Sequence, residues 1–96
     1  MKKYESIIIV NPNTIEEEIK ELIEYIKKII TDNNGSITKV EELGKKKLAY
    51  EIKKCKEGYY VVIYFEAKPS VIAELERVYR IKDEIIKYIT IRSDEE

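Results

Sequence analysis

The 96 residues read as strand, helix, strand, strand, helix, strand. That order predicts an α+β sandwich, with two helices packed on one face of a four-stranded antiparallel sheet. Three observations carry it. Ile7 to Val10 are four successive β-branched residues, as in a strand buried on both faces. Two segments, one after Asn13 and one after Lys68, repeat apolar residues at spacings of three and four, the period of a helix. Between them, two β-rich stretches flank a polar turn and read as a hairpin. Right-handed crossovers then stack both helices on the same face, which is the ferredoxin-like βαββαβ sandwich.

Taken in order, Lys2-Lys3-Tyr4 leads into a first strand that Asn11-Pro12-Asn13 ends. Thr14 with Glu17 has the spacing of a capping box, in which each side chain satisfies an amide left open by the first helical turn. Ile15, Ile19, Leu22, Ile23, Ile26 and Ile30 form the inward stripe, and Glu16, Glu17 and Glu18 suit the positive end of the helix dipole. Asn33-Asn34-Gly35 is expected to supply a left-handed exit at its glycine.

The second strand starts near Ser36. Ile37, Val40 and Leu43 break strict alternation, which predicts a bulge or a strong twist before Gly44, and the alternation resumes at Leu48, Tyr50 and Ile52. Its charges, Glu41, Glu42 and Lys45 to Lys47, are those that keep a sheet edge from pairing with other copies. Residues 53–58 read as the turn. In the third strand Tyr59, Val61, Ile63 and Phe65 face one way and Tyr60, Val62 and Tyr64 the other, so neither face is properly polar. Pro69 suits a first helical turn, with Val71, Ile72, Leu75, Val78 and Tyr79 inward. Ile85 to Arg92 is the last strand. Residues 1–92 are thus expected to form one domain and 93–96 an acidic flexible tail.

Composition narrows the chemistry. Without histidine, Ser-His and Cys-His catalysis and most transition-metal sites are excluded, so no catalytic residue, metal or cofactor is expected. Cys55 has no partner for a disulfide and reads as a structural thiol. The longest aliphatic run, Ile7 to Val10, is far short of the ~20 residues of a membrane span. Net charge is −1, but residues 39–58 hold seven lysines against four glutamates, a local +3.

Two known families share this architecture. Gly58 to Tyr64 partly matches the RNA-recognition-motif pattern of single-strand RNA-binding modules, but Ile7, Ile8 and Ile9 put no aromatic on the first strand. Acylphosphatase-like enzymes need an anion-cradling loop with an arginine where this chain has Asn11-Pro12-Asn13-Thr14. A small-ligand sensor dimerising through its sheet would explain the apolar second face and nothing more.

A resemblance covers the whole chain. Lys2-Lys3-Tyr4-Glu5, Asn11-Pro12, Val40-Glu41-Glu42-Leu43-Gly44-Lys45-Lys46-Lys47-Leu48-Ala49-Tyr50-Glu51-Ile52, Gly58-Tyr59-Tyr60 and Arg80 to Lys87 resemble the bacterial small-subunit ribosomal protein S-six family in order and spacing. The glycine, basic triplet and Leu-Ala-Tyr-x-Ile block is the most specific part. Lys87 departs from the arginine of many members, keeping the charge and losing the bidentate fork. The resemblance implies a structural protein of the ribosomal platform in the cytoplasm, without catalysis. Its implied partners are ribosomal protein S-eighteen, as a heterodimer, and the central domain of small-subunit ribosomal RNA, with no membrane and no small-molecule substrate. It implies protein-partner contacts along the second strand at Glu41, Glu42, Lys46, Lys47 and Tyr50. Lys2, Lys3, Tyr4, Lys54, Lys56, Lys87 and Arg92 are the RNA-binding candidates. A tyrosine at a strand end is more often a core residue with a wet hydroxyl than a base-stacking platform, and both readings stay open for Tyr4 and Tyr50.

Overall fold

The computed structural model describes residues 1–93, so the acidic tail beyond Ser93 lies outside the described residues. The elements are β1 (Lys2–Val10), α1 (Glu16–Asp32), β2 (Ser36–Ile52), β3 (Cys55–Ala67), α2 (Pro69–Ile81) and β4 (Ile85–Arg92). They form one antiparallel sheet in the order β2-β3-β1-β4. The aliphatic strand β1 is therefore central, and the charged strand β2 is an edge.

Alternation along the strands decides which side chains meet the helices. Tyr4, Ile8 and Val10 of β1 and Val61, Ile63 and Phe65 of β3 face Leu22, Ile23, Ile26 and Ile30 of α1 and Val71, Leu75 and Tyr79 of α2. Burying each such side chain is worth roughly 1.5–3 kcal/mol relative to exposure. Ser6 occupies the same register as Ile8 and is the one buried polar residue among those described. It is satisfied there, with its Oγ 2.7 Å from Tyr79 Oη and 2.8 Å from Thr90 Oγ1.

Three local expectations are corrected. The Thr14–Glu17 capping box does not form: α1 begins at Glu16 behind Ile15, with no side-chain cap. The Thr14 amide instead donates to the Asn11 carbonyl at 3.0 Å, and the Asn13 amide to Asn11 Oδ1 at 2.9 Å, so the turn takes up the residue meant for capping. Ile15 is consequently 57 % exposed and leaves the inward stripe, which gains Ile29. At the other end of α1 the left-handed residue is Asn34, with φ 66°, not Gly35. Gly35 is needed for a different reason, since a Cβ there would lie 2.6 Å from the Glu66 carbonyl oxygen and 2.7 Å from Ile30 Cγ2.

The third correction concerns the hairpin. β2 runs unbroken for 17 residues, with register shifts at Ile37/Lys39, Glu42/Gly44 and Lys47/Ile52, and the turn shrinks to Lys53 and Lys54. The predicted bulge before Gly44 is the middle shift, and Gly44 itself has φ +81°. Beyond it the hairpin becomes an arm. β2 and β4 lie on opposite edges of the sheet, yet Leu48 packs with Ile9 of β1 and Ile86 of β4, flanked by Ile52, Cys55 and Tyr60. The arm must therefore cross the face that the helices leave open. Gly58 makes this close approach possible, because a Cβ at that position would collide with Ile9 Cγ2.

Candidate functional site

The sequence-predicted basic residues fall into two groups. Lys2 and Lys3 open β1, and β4 ends beside them with Tyr4 opposite Arg92 and the Ser93 amide donating to the Lys3 carbonyl at 2.9 Å. Lys54, Lys56 and Lys87 sit at the other end, on the hairpin tip and the start of β4. Arg92 and Lys87 stand opposite Tyr4 and Ile9, so the nearest members of the two groups are roughly 17 Å apart at the ~3.3 Å rise of a strand.

Tyr4 leaves the RNA-binding set. It is 6 % exposed, and its ring stacks on Phe65 with centroids 5.6 Å apart, so it presents no face to a base. Its place in the core fixes the strand that carries Lys2 and Lys3. Tyr50 is not a core residue. It is 62 % exposed, and its hydroxyl accepts a hydrogen bond of 2.7 Å from Lys87 Nζ, which also lies 5.2 Å from the ring centroid. A residue expected at the protein partner and one expected at RNA therefore share a contact across the open face.

The tip itself is unusual. Lys53 and Lys54 have φ of 47° and 65°, so both central residues of the two-residue turn are left-handed, as in a type I′ hairpin. Asn-Gly fills such turns without strain, whereas each lysine costs about 1–2 kcal/mol. Two exposed ammonium groups are thereby placed at the extremity of the arm.

The five partner candidates on β2 do not form one surface. The Glu41 carboxylate accepts a 2.7 Å hydrogen bond from Tyr64 Oη and pairs with Lys39 at 3.4 Å. The Tyr64 bond, and then Lys39, hold Glu41 below the usual carboxylate range, and the same bond pushes the Tyr64 hydroxyl up. Glu42 lies on the opposite face, near Lys20, Glu24 and Lys27 of α1. It accepts a 2.9 Å bond from Tyr59 Oη, whose pKa is raised by burial and by that bond. The glutamates thus tie β2 to β3, while Lys46, Lys47 and Tyr50 are exposed on the arm.

Some features escaped sequence reasoning. Ile89 and Ile91 are 52 % and 43 % exposed, and they stand opposite Ile7 and Glu5 on the open face. The alternation of β4 is the signal that marks them. The Ser6–Tyr79–Thr90 chain had one signal, a lone polar residue in the core register of an aliphatic strand. Among the described residues, no cluster of Cys, Asp or Glu is arranged to hold a metal ion, and no helix is long and apolar enough to cross a membrane.

Comparison with known proteins bears on what this arrangement serves. The model of the family described as Ribosomal protein S6 matches residues 3–92. The chain is 50% identical over 94 residues to the small ribosomal subunit protein bS6 of Helicobacter acinonychis, covering 98% of this chain and 66% of that protein. It is 48% identical over 95 residues to the bS6 of Caldanaerobacter subterraneus subsp. tengcongensis, covering 99% of this chain and 100% of that one. The chain thus spans just under two thirds of the Helicobacter relative and the full length of the second. The crystal structure of 30S ribosomal protein S6 from Thermotoga maritima is similar with a TM-score of 0.89 at 49% identity, over 95% of this chain and 86% of that chain.

Proposed function

Because the chain belongs to the ribosomal protein S6 family of the small ribosomal subunit, we propose that it works as a non-catalytic scaffold on the bacterial ribosome, in the cytoplasm. It binds the central domain of small-subunit ribosomal RNA as a heterodimer with ribosomal protein S-eighteen. The observation that carries this reading is the open sheet face, where the apolar residues Tyr50, Ile89 and Ile91 stay exposed between two basic ends.

That layout supports a division of labour. The partner covers the apolar face and the exposed part of the β2 arm, with Lys46, Lys47 and Tyr50 as contacts; covering the exposed halves of Ile89 and Ile91 would contribute about 1 kcal/mol each. Glu41 and Glu42 support this surface indirectly, by holding β2 on β3. Lys2, Lys3 and Arg92 at one end and Lys54, Lys56 and Lys87 at the other neutralise phosphates and release counterions, which gives affinity with little sequence preference. Residues 1–92 form the binding domain in this reading.

Co-sedimentation tests the proposal. The chain is expected to pellet with the small ribosomal subunit after a high-salt wash, in about one copy per subunit. Recovery in the supernatant while other subunit proteins remain bound would overturn it.

A further inference from the structure

The arm does more than cover the sheet. Where its tip meets the end of α2 and the start of β4 there is a groove of about 450 Å³, lined by Lys53, Arg80 and Lys87 together with Ile85, Ile86 and Tyr88. Among the described residues, three cations line it and no carboxylate does. Like charges gathered without a counterion repel one another, and an anion in the groove relieves that repulsion. Arg80 adds the planar fork, suited to two phosphate oxygens at once, that Lys87 cannot supply. Lys87 is itself positioned by its 2.7 Å bond to Tyr50. Beside the charges the half-buried ring of Tyr88 stands over the core residues Ile85 and Ile86 and presents an apolar surface next to the anion site. A free inorganic anion has no use for that ring; the sugar and base of a nucleotide do.

We propose that this groove is a subsite for one nucleotide of the bound RNA. Its phosphate is held by Arg80 with Lys53 and Lys87, and its sugar and base lie against Tyr88. Lys53 reaches the groove only because the arm lies across the open face, so folding of the arm completes the site and nucleotide binding holds the arm down. The inference rests on the RNA-binding reading above and adds Lys53 and Arg80 to it.

The test is a titration of the heterodimer against a small-subunit ribosomal RNA transcript over a series of KCl concentrations. Wild type is compared with Arg80→Gln, Lys53→Gln and the control Lys28→Gln, which alters an exposed lysine of α1. The groove variants each remove one phosphate contact. They are expected to weaken binding about 5- to 10-fold and to flatten the slope of log K against log salt by ~0.7–0.9. Arg80→Lys should restore the slope but not the full affinity, and Lys28→Gln should match wild type. All four substitutions are at exposed positions, and unchanged melting temperatures will show that the fold is kept. If wild type binds RNA and the groove variants keep its slope, the subsite is wrong and the RNA-binding reading survives. If wild type does not bind at all, both fall.

Discussion

Replacing Gly58 with alanine probes the folded arm directly. Gly58 is buried and is not among the residues with positive φ, so alanine meets no backbone strain there and gains roughly 0.5–1 kcal/mol from the reduced freedom of the unfolded chain. Against that, the new methyl group collides with Ile9 Cγ2 and reaches 3.5 Å from Leu48 Cδ2 and 3.6 Å from Ile86 Cδ1. Ile9 is only 7 % exposed and has little room to yield. Overpacking of this kind costs about 1–3 kcal/mol, which leaves a net destabilisation of up to ~2.5 kcal/mol. Urea unfolding measures it, and hydrogen exchange across residues 45–57 should accelerate as the arm lifts. The decisive comparison is a double-mutant cycle with Ile9→Ala, in which Gly58→Ala should become neutral or slightly stabilising. Equal cost in both backgrounds would refute the packing argument. Gly44→Ala is the contrast: with φ +81° and nothing within 4 Å of a Cβ, it should cost about 1 kcal/mol from the backbone alone, whatever stands at position 9.

Other substitutions test other parts of the account. Ser6→Ala strands the buried Tyr79 hydroxyl and should cost ~1–3 kcal/mol in denaturant unfolding, more than Tyr79→Phe, which leaves Ser6 bonded to Thr90. Burial pushes the Tyr79 hydroxyl up to about 12. Between pH 10 and 12 the unfolded chain therefore releases a proton that the folded one retains, and stability should fall as pH rises, by ~2–3 kcal/mol in total. Tyr79→Phe should flatten that decline, and a pH profile unchanged by the substitution would count against burial as the cause. Reversing Lys46 and Lys47 to glutamate should weaken heterodimer formation with ribosomal protein S-eighteen in a calorimetric titration and leave the melting temperature nearly unchanged. A drop in melting temperature with intact partner affinity would place the two lysines in the fold and outside the interface.

Much of the architecture was legible because it follows from local periodicity. The run Ile7 to Val10 could only be a central strand, and the charges of Glu41 to Lys47 could only be tolerated at an edge. What stayed hidden depends on contacts between residues far apart in the chain. Whether Thr14 caps a helix depends on how Asn11 spends its carbonyl and side chain, and the capping pattern alone does not say. Gly35 looked like a turn residue, yet it is required by the carbonyl of Glu66, thirty-one positions away. The candidate site was legible as residue types and not as a layout. Lys87 and Tyr50 were both singled out, for different surfaces, and their contact exists only because the arm crosses from one edge of the sheet toward the other. Arg80 entered only through the family resemblance and Lys53 only as a turn residue, since the groove they share is made by three elements that sequence order does not bring together.

The central claim is that RNA binding belongs to a heterodimer and not to this chain alone, and one measurement tests it most directly. A fragment spanning the central domain of small-subunit ribosomal RNA is titrated with the chain, first without and then with ribosomal protein S-eighteen. The account predicts weak binding by the chain alone, in keeping with two small, separate basic groups, and binding at least tenfold tighter once the partner covers Tyr50, Ile89 and Ile91. Equally weak binding in both titrations would contradict it.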